Sequence, residues 1–375
     1  MARKYQICTR CIMDTTDPEI QFDENTVCSH CKKYDEMAKK KLHYDEADQQ
    51  KLKQMIEKIK QAGRNKRYDC IIGVSGGVDS SFMAYKVKEL GLRPLAVHLD
   101  NGWNSELAVN NIENQLKKLD IDLYTHVIDW EEFKDLQVAF LKAATPDSEI
   151  PTDHAILALL HQVAAQQNLR YIITGQNLVT EGYTVSSWAQ GHGDWRYIRS
   201  IHRKFGKSKK LNSYPRCDIL RILYYKLFRR IKIIQILNYI PYVKKEAIHM
   251  LEKELGWRPY EGKHCESIYT HFFQSYILPK KFGFDKRRIH LSVLIASGQM
   301  TREEALEEMK KELYDPQQLK WNKEYILKKL EFSEEDFEKI MSSPHKSFWD
   351  YPSYKNHPLI KNKFVLSIYH RFLRD

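Results

Sequence analysis

The residues best suited to chemistry form a short polar stretch, SGGVDSS, at positions 75–81. The apolar run YDCIIG precedes it and the helix-like FMAYKVKELG follows it, so the stretch lies where a strand turns into a helix. Consecutive glycines allow backbone N–H groups and a helix N-terminus to face an anion, and serine hydroxyls add further donors. Asp79 is placed where a carboxylate could hold Mg²⁺ against phosphates. The stretch therefore predicts a phosphate-binding loop, although it matches neither GxxxxGK(S/T) nor GxGxxG.

Four of the seven cysteines lie in two close pairs. Cys8 and Cys11 form the first pair, and Cys28 and Cys31 form the second. At this spacing four thiolates can surround Zn²⁺ tetrahedrally, and the short loop between the pairs could not bury a core without the metal. We therefore predict a closed, structural zinc site. An iron–sulfur cluster and a redox-active pair are the alternatives for the same four residues.

The sequence shows no pattern typical of a secreted or membrane-spanning chain. The opening MARKYQICTRC has no apolar segment of the signal-peptide type, and the apolar-looking stretch 219–240 carries five Lys and Arg residues. We expect a cytoplasmic protein whose thiols stay reduced.

Strand-like runs alternate with helical patterns between residues 68 and 177. The runs at 68–74, 92–100, 121–129 and 171–177 are strand-like, and the segments 82–90, 105–119, 131–142 and 153–168 between them have helical spacing. This alternation predicts an α/β fold with a doubly wound parallel sheet. Ligands bind at the carboxyl ends of such strands, so three loops should converge there, at 75–81, 100–103 and 174–177.

The chain divides into four predicted parts. Residues 1–45 form the zinc-binding module, 46–195 the α/β domain, 196–245 a basic amphipathic segment and 246–375 a helical C-terminal region. In the last part, Thr301 and Glu304 have the spacing of a capping box, and similar helix patterns follow at 316–331 and 333–341.

The net charge of +11 comes from one segment. Residues 196–245 contain 15 Lys and Arg residues and a single acid, Asp218, whereas the rest of the chain has 45 basic and 48 acidic residues. This favours a local surface for a partner or an anionic ligand over a groove that follows a nucleic-acid backbone. A solvated helix face and a membrane-surface helix are the other interpretations.

The loop SGGVDSS resembles the pyrophosphate-binding loop (PP-loop) of the ATP pyrophosphatase superfamily and matches its SGGxDS pattern completely. The resemblance implies binding of ATP and Mg²⁺ and release of AMP and pyrophosphate. It places the loop residues on the pyrophosphate, Asp79 also on Mg²⁺, and Asp100 near the adenosine. The residues implied in nucleotide binding are Ser75, Gly76, Gly77, Asp79, Ser80, Ser81, Asp100 and Gly175.

A closer resemblance extends over most of the chain. The segments ICTRCIMDTTDP, IPTDHAI, TGQN, GWRPYEGKHCES and LPKKFGFDKRRIHLSVLIASGQMTREEAL are similar, in this order, to the N-acetyl sugar amidotransferase family of surface-polysaccharide and O-antigen biosynthesis. This similarity implies an ATP-dependent ligase that converts an acetamido group of a nucleotide-activated sugar into an acetamidino group through an O-adenylated intermediate.

Several polar residues are candidates for that chemistry. Adenylation makes the amide oxygen a leaving group, and cations must neutralise the departing pyrophosphate. Lys286 and Arg287 are the predicted phosphate cations, while a solvated basic turn is the alternative. The candidates for orienting the sugar or deprotonating the attacking nitrogen are Asp153, His154, Glu181, Lys263, His264 and Glu266. The aromatic stretch 186–198 is expected to border the substrate, although core packing would also explain its tryptophans.

The chain has no recognisable glutaminase of its own. Position 2 is Ala2, and none of Cys70, Cys217 and Cys265 lies in a Gly-x-Cys-x-Gly setting. The family resemblance therefore implies that ammonia comes from separate subunits similar to the glutaminase and cyclase-like halves of imidazole glycerol phosphate synthase. Segment 196–245 is a candidate for docking such a partner.

An alternative function is tRNA thiolation, because some enzymes of that kind also combine cysteine pairs with an SGGxDS loop. A basic segment would suit RNA. A sulfur-carrying cysteine should be reactive, however, and Cys70 lies inside a predicted buried strand. A non-catalytic nucleotide sensor is disfavoured because Asp79 and the serines are present.

Overall fold

The computed structural model describes residues 4–208, 210–260 and 265–357. Its central feature is a five-stranded sheet in the order β3-β2-β1-β4-β5, in which every neighbouring pair is parallel. The strands are β1 (Cys70–Gly73), β2 (Pro94–Asp100), β3 (Asp122–Val127), β4 (Tyr171–Thr174) and β5 (Lys232–Gln235).

Helices cover both faces of the sheet. In the first part of the chain these are α1 (Ser29–Lys41), α2 (Glu46–Gly63), α3 (Val78–Glu89), α4 (Glu106–Leu119), α5 (Trp130–Ala143), α6 (Ile150–Gln166), α7 (Leu178–Glu181) and α8 (Trp195–Phe205). The later ones are α9 (Ile219–Leu223), α10 (Lys244–Leu255), α11 (Ile268–Phe272), α12 (Arg287–Ala296), α13 (Arg302–Lys310), α14 (Pro316–Leu330) and α15 (Glu334–Ser342). Wider helical turns extend α9 over Tyr224–Phe228 and α11 over Phe273–Phe282.

The alternation of side chains along the central strands explains the two helical layers. Ile71 and Ile172 belong to a core shared with α5, α6, α8 and the C-terminal helices. Ile72 and Ile173 belong to a second core shared with α2, α3, α4 and α10. Successive residues of a strand point to opposite faces, so both faces of these strands are apolar and covered. The predicted doubly wound α/β fold is confirmed.

The order of the strands creates a crevice next to β1. The chain moves from β1 through β2 to β3 on one side, and β4 then pairs with the other side of β1. Such a reversal point is where ligands bind in doubly wound sheets, outside the carboxyl ends of the strands. The loop at 75–81 follows β1 and therefore borders this crevice.

The fifth strand was not predicted. It lies within segment 196–245, which contains α8, an extended loop, α9 and β5 rather than a single amphipathic helix. The run KIIQ that forms β5 is short and has basic residues on its N-terminal side, so its strand character depends on pairing with β4. The predicted domain boundary at 195 consequently leaves one strand of the sheet outside the α/β segment, and the four-part division stays a prediction.

The helical character of the C-terminal part is confirmed. Thr301 accepts from the backbone of Glu304 and its own backbone donates to the Glu304 side chain, which is the predicted capping box. Ser333 forms the same arrangement with Asp336 at the start of α15. None of the helices within the described residues is long and apolar enough to span a bilayer.

Candidate active site

The loop SGGVDSS leads into an open helix N-terminus. Gly77 is the N-cap of α3, and none of the described side chains caps the helix there. Gly76 has φ +81°, a left-handed conformation that glycine adopts without strain. The first backbone N–H groups of a helix have no partner within the helix, and with its positive dipole end they form an anion site. The geometry therefore fits a phosphate cradle.

The carbonyl oxygen of Gly76 is held by two aromatic side chains. It accepts hydrogen bonds from Trp257 Nε1 at 2.8 Å and from the Tyr260 hydroxyl at 3.1 Å. Asn111 of α4 in turn donates to the Tyr260 hydroxyl at 3.2 Å. With its carbonyl fixed by these donors, the peptide that follows Gly76 has a set orientation, as an anion-binding loop requires.

The serines of the loop bond mainly within the loop. Ser80 Oγ donates to the Gly77 carbonyl at 3.0 Å and lies 3.2 Å from Ser75 Oγ. Gly77 N–H donates to Ser75 Oγ at 3.3 Å. Ser81 is buried, and its hydroxyl has no hydrogen-bond partner among the described residues. The first two serines thus line the open loop, and the third lies beneath it.

Gly175 brings the end of β4 against the start of α3. A Cβ atom at this position would lie 2.9 Å from the Asp79 carbonyl carbon and oxygen and from Ser80 N. That is closer than side-chain carbons approach other atoms, so only glycine fits. The loops after β1 and β4 meet at the crevice, as the sequence predicts.

Asp79 lies below the loop between two hydroxyl groups. The Tyr242 hydroxyl donates to its Oδ1, and Thr180 Oγ1 donates to its Oδ2 at 3.2 Å. Burial and the charge of Asp79 raise the pKa of Tyr242, which keeps this phenol a donor. Among the described residues, Asp79 belongs to no group of three close metal-ligating side chains. One carboxylate combined with substrate phosphates still suffices for Mg²⁺.

Asp100 shapes the loop after β2. Its Oδ1 accepts from Gly102 N–H at 2.9 Å and from Asn104 Nδ2 at 3.3 Å. Asn104 Nδ2 also lies 3.0 Å from His98 Nε2, and His98 Nδ1 lies 3.0 Å from the Val74 carbonyl. The loop after β2 is therefore linked to the residue just before SGGVDSS, which completes the predicted convergence of three loops.

Three carboxylates and two cations form a cluster near the N-terminus of α6. His192 Nε2 lies 3.1 Å from Asp147 Oδ2 and 3.3 Å from Asp153 Oδ2. Lys286 Nζ lies 3.3 Å from Glu149 Oε2. We call these five residues the carboxylate cluster. It adjoins the crevice, because Asn101, next to the end of β2, donates to Thr152 of α6 at 3.0 Å.

The surroundings of the carboxylate cluster shift the pKa values of Asp153 and His192. The Asp153 side chain has 52% of its surface accessible, yet neighbouring protein atoms reduce its solvation. Burial raises the pKa of Asp153 to about 6. Burial alone would lower the pKa of His192, but the hydrogen bond and charge of Asp147 and the charge of Asp153 raise it to about 9. Near neutral pH the cluster thus contains a charged histidine beside a weakly basic carboxylate.

The basic residues of the segment KKFGFDKRR point in different directions. Lys286 enters the carboxylate cluster, where burial opposes its charge but the three carboxylates raise its pKa. Arg287 instead binds Asp285 through Nε and Nη2 and donates through Nη1 to the carbonyls of Glu308 and Lys311. The side chains of successive residues in a helix point about 100° apart around the helix axis. The two predicted phosphate cations are therefore not brought together.

The remaining predicted residues divide between the loop and other places. A Cβ atom at Gly77 would lie 3.0 Å from Glu266 Oε1, so Glu266 borders the phosphate loop. His154 is buried below the carboxylate cluster, and burial lowers its pKa to about 4. Glu181 ends α7, the short helix that carries Thr180. Lys263 and His264 lie outside the described residues.

The four paired cysteines come together at the N-terminus. They are fully buried, with sulfur–sulfur distances of 3.9 Å for Cys8 and Cys31, 3.6 Å for Cys11 and Cys28, and 3.7 Å for Cys28 and Cys31. A tetrahedron with Zn–S bonds of about 2.3 Å has sulfur separations of about 3.8 Å. The cluster can therefore hold zinc.

The cysteine cluster is attached to the C-terminal helices. Arg302 of α13 donates to the carbonyls of Cys11 at 3.0 Å and Cys8 at 3.2 Å. Arg288 of α12 forms an ion pair with buried Asp14 at 3.0 Å. These contacts join residues far apart in the sequence, so the metal-binding module also supports the helices that supply Lys286.

Several residues of the site were missed in the sequence. They are Tyr242, Trp257, Tyr260, Thr180, Asp147, Glu149 and His192. Trp257 and Tyr260 belong to the segment GWRPYEGKHCES, and His192 belongs to the aromatic stretch 186–198, so their neighbourhoods were recognised but not their contacts. In that stretch Trp188 stacks on Phe284 at 4.2 Å inside the core.

The C-terminal part of the chain is similar to a known protein family. Residues 266–365 match the family model described as "LPS biosynthesis protein WbpG-like, C-terminal domain". This part of the chain is therefore similar to a WbpG-like C-terminal domain. Glu266 and Lys286 belong to the matched residues, so this part of the chain contributes side chains both beside the loop SGGVDSS and to the carboxylate cluster. No curated protein matches the chain.

Solved structures with partial similarity include three from microorganisms. A predicted tRNA methyltransferase subunit from Methanocaldococcus jannaschii is 16% identical over 48% of this chain and 74% of its own, with a TM-score of 0.29. NMN synthetase from Francisella tularensis is 15% identical over 76% and 94%, with a TM-score of 0.33. NH3-dependent NAD synthetase from Campylobacter jejuni is 16% identical over 54% and 83%, with a TM-score of 0.29. We assign the doubly wound topology from the strand order of this chain, not from these structures.

Proposed function

We propose that the chain is the ATP-dependent synthetase subunit of an amidotransferase, which converts an acetamido group of a nucleotide-activated sugar into an acetamidino group. The observation that supports this most is the uncapped N-terminus of α3, in a crevice shared with Glu266 and next to the carboxylate cluster. The WbpG-like domain supports a role in making lipopolysaccharide O-antigen or a similar surface glycan.

The phosphate loop holds the pyrophosphate part of ATP in this proposal. Backbone N–H groups at the start of α3 and the hydroxyls of Ser75 and Ser80 are the donors that fit it. Asp79 is the carboxylate that would hold Mg²⁺, whose charge would offset that of the phosphates. Asp100 and Gly175 border the same crevice on either side of the loop.

The proposed reaction balances without a further reagent. The acetamido oxygen bonds to the α-phosphorus of ATP, and pyrophosphate leaves. Ammonia then bonds to the activated carbon, the carbon–oxygen bond breaks, and AMP leaves with the former amide oxygen. The new nitrogen must lose protons as it becomes part of the amidine, so a proton acceptor is needed beside the carbon.

Asp153 is our candidate for this acceptor. Its carboxylate is accessible and has a pKa of about 6, so it is ionised near neutral pH and still basic enough to take a proton. Lys286 holds Glu149 and, with His192, keeps the cluster from carrying three uncompensated negative charges. Glu266 is a candidate for orienting the sugar. The phosphate contact of Arg287 stays a prediction, since each of its guanidinium nitrogens has a protein partner.

Ammonia would come from separate glutaminase and cyclase-like subunits. Two of the isolated cysteines are poor nucleophiles, because burial raises the pKa of Cys70 well above its usual value and that of Cys217 to about 12. The same burial disfavours these thiols as sulfur carriers in tRNA thiolation.

The test is an incubation of the purified chain with ATP, Mg²⁺, ammonium and a panel of nucleotide-linked diacetamido sugars. We expect AMP and pyrophosphate to appear only with the correct sugar. A heavy-oxygen label in the acetamido group should be recovered in AMP, because adenylation transfers that oxygen.

Asp79→Asn should abolish AMP formation, whereas Asp122→Asn, at an exposed ion pair with Arg67, should not. Label retained in the sugar product, or equal AMP formation by Asp79→Asn and the wild type, would show that the proposed reaction is wrong.

A further inference from the structure

A second concave surface lies outside the crevice, between α8, the loop at 210–218 and α9. It encloses about 450 Å³, which is within the size range of small-molecule sites. Five cationic side chains line it, and we call it the arginine cavity. Its cationic residues are Arg199, Arg203, Lys210, Arg216 and Arg221.

Within the part of the chain that the structure describes, carboxylates do not balance the charge of the arginine cavity. Among the described residues that line the cavity, Asp218 alone is acidic, and its carboxylate accepts from the Arg221 backbone N–H at 2.9 Å as the N-cap of α9. Within the described residues, none of the four guanidinium groups lies within ion-pair distance of a carboxylate. Five like charges facing one space repel one another, so an anion bound there would relieve that repulsion.

The wall of the cavity is built by specific contacts rather than by loose side chains. Trp195 stacks on His154 at 5.8 Å and on Tyr214 at 6.0 Å, and the Arg216 guanidinium lies 5.7 Å from the Trp195 ring centre. The His154 ring accepts from Cys217 N–H at 3.1 Å. The aromatic wall and the start of the Arg216 to Arg221 segment are therefore fixed before a ligand arrives.

The loop on the other side is pinned by two carboxylates of α5. Asp135 accepts from the backbone of Lys207 at 2.8 Å and of Ser208 at 2.9 Å. Glu132 accepts from the backbone of Asn212 at 2.7 Å and Ser213 at 2.8 Å. These bonds hold the backbone that carries Lys210 while leaving its ammonium group exposed.

The arginine cavity and the carboxylate cluster share a wall. His154, which packs on Trp195, follows Asp153 in α6. His154 Nδ1 donates to the carbonyl of His192 at 2.7 Å, and the His192 side chain pairs with Asp147 and Asp153. A ligand with an anionic part in the cavity could thus present a neutral part to the carboxylates.

We propose that the arginine cavity binds the diphosphate of the nucleotide-linked sugar, with the sugar directed towards Asp153. This inference rests on the proposed function and names the substrate part that the basic segment recognises. Guanidinium groups bind phosphate oxygens in a bidentate manner, and an aromatic wall can stack on a base. A concave, partly aromatic site favours a small organic diphosphate over a lipid surface or an RNA backbone, which need an extended face.

The test measures binding of uridine diphosphate and of inorganic pyrophosphate to the full chain by calorimetry. A non-hydrolysable ATP analogue is present at saturation, so that the phosphate loop is occupied. The double variant Arg199→Gln/Arg203→Gln removes two exposed cations that have no ion-pair partner among the described residues. The matched control is Arg67→Gln, an exposed arginine paired with Asp122.

We expect the wild type and the control to bind uridine diphosphate, and the double variant to bind it about tenfold or more weakly, since charge-assisted hydrogen bonds are lost. Pyrophosphate should compete for the same site. Failure of the wild type to bind uridine diphosphate, or equal binding by the double variant, overturns the proposal. It is equally overturned if the double substitution weakens only retention of tRNA or of anionic vesicles.

Failure of the proposed function would look different. In the AMP-release assay, the double variant should have a raised KM for the sugar nucleotide while the KM for ATP and kcat stay close to those of the wild type. Arginine-dependent binding of uridine diphosphate, without AMP formation for any sugar, would overturn the proposed reaction while leaving the diphosphate site in place.

Discussion

Trp257 Nε1 donates a 2.8 Å hydrogen bond to the carbonyl oxygen of Gly76, although 181 positions separate the two residues. This bond ties the phosphate loop to the stretch that follows α10. A residue after the last strand of the sheet thereby sets the orientation of a peptide that follows the first strand. The geometry of the proposed anion site therefore depends on the whole fold rather than on SGGVDSS alone.

Replacing this tryptophan should weaken ATP binding. In Trp257→Phe the ring volume is largely kept, but one donor to Gly76 is lost, which costs about 1 kcal/mol of stability and loosens the loop. We expect the KM for ATP to rise about fivefold to tenfold, in line with that energy. Trp349→Phe, at a residue that is 58% exposed, is the control for losing an indole. Equal KM values in the two variants would show that the bond does not position the loop.

Alanine substitutions at Gly76 and Gly283 form a matched pair that tests how closely the backbone of α4 approaches the loop SGGVDSS. Both have positive φ, +81° and +75°, so alanine should cost each about 1–2 kcal/mol in backbone strain. A Cβ at Gly76 would also lie 2.8 Å from the Ala108 carbonyl oxygen, whereas nothing lies within 4 Å at Gly283. Gly76→Ala should lose ATP binding, and Gly283→Ala should lose only stability. Calorimetric titration with ATP and thermal unfolding measure the two effects, and retained ATP affinity in Gly76→Ala would contradict the cradle geometry.

The pH dependence of the reaction should follow the carboxylate cluster. The Asp153 pKa is raised to about 6, and the ionised form is the proton acceptor, so activity should rise as pH increases through about 6. His192 has a pKa of about 9, so above that pH the cluster loses a positive charge and activity should fall. The measurement is kcat/KM against pH at a constant concentration of free ammonia. These apparent values belong to the cluster as a coupled set.

Substitutions separate the two limbs of this profile. Asp153→Asn should lower kcat by about a hundredfold or more, the usual contribution of a general base, and remove the acidic limb. Asp122→Asn should keep both limbs, because Asp122 is exposed and remote in the sheet edge strand β3. An acidic limb that persists in Asp153→Asn would assign the proton acceptor to another group.

The four-cysteine cluster should contain one zinc ion per chain. Cys28→Ser removes a thiolate ligand, so we expect loss of zinc and a lower unfolding temperature. Because Arg302 and Arg288 bind the cysteine module, the C-terminal helices should also become more accessible to protease. Cys265→Ser, outside the cluster, should retain the metal. Elemental analysis of the wild type identifies the metal. Iron together with visible absorption would contradict the zinc prediction and indicate an iron–sulfur cluster instead.

The order of elements from β1 to β4 was predictable because local patterns carry it. The apolar runs and helical periods from residue 68 to 177 encode strands and helices that each bury a face against the sheet. The loop SGGVDSS and the paired cysteines could also be predicted from the sequence, since their chemistry depends on residues that lie close together in it. The capping boxes at Thr301 and Ser333 are local for the same reason.

Only the tertiary structure shows the contacts between segments that are distant in the sequence. The strand β5 forms because its backbone pairs with β4. The four-residue run KIIQ is too short to predict that pairing from the sequence. Lys286 and Arg287 are neighbours in sequence, but packing sends one to the carboxylate cluster and the other to the end of α13. His192, Trp257 and the arginines around Trp195 acquire their roles in the same way. Direction and proximity depend on how elements pack, and composition and spacing do not contain that information.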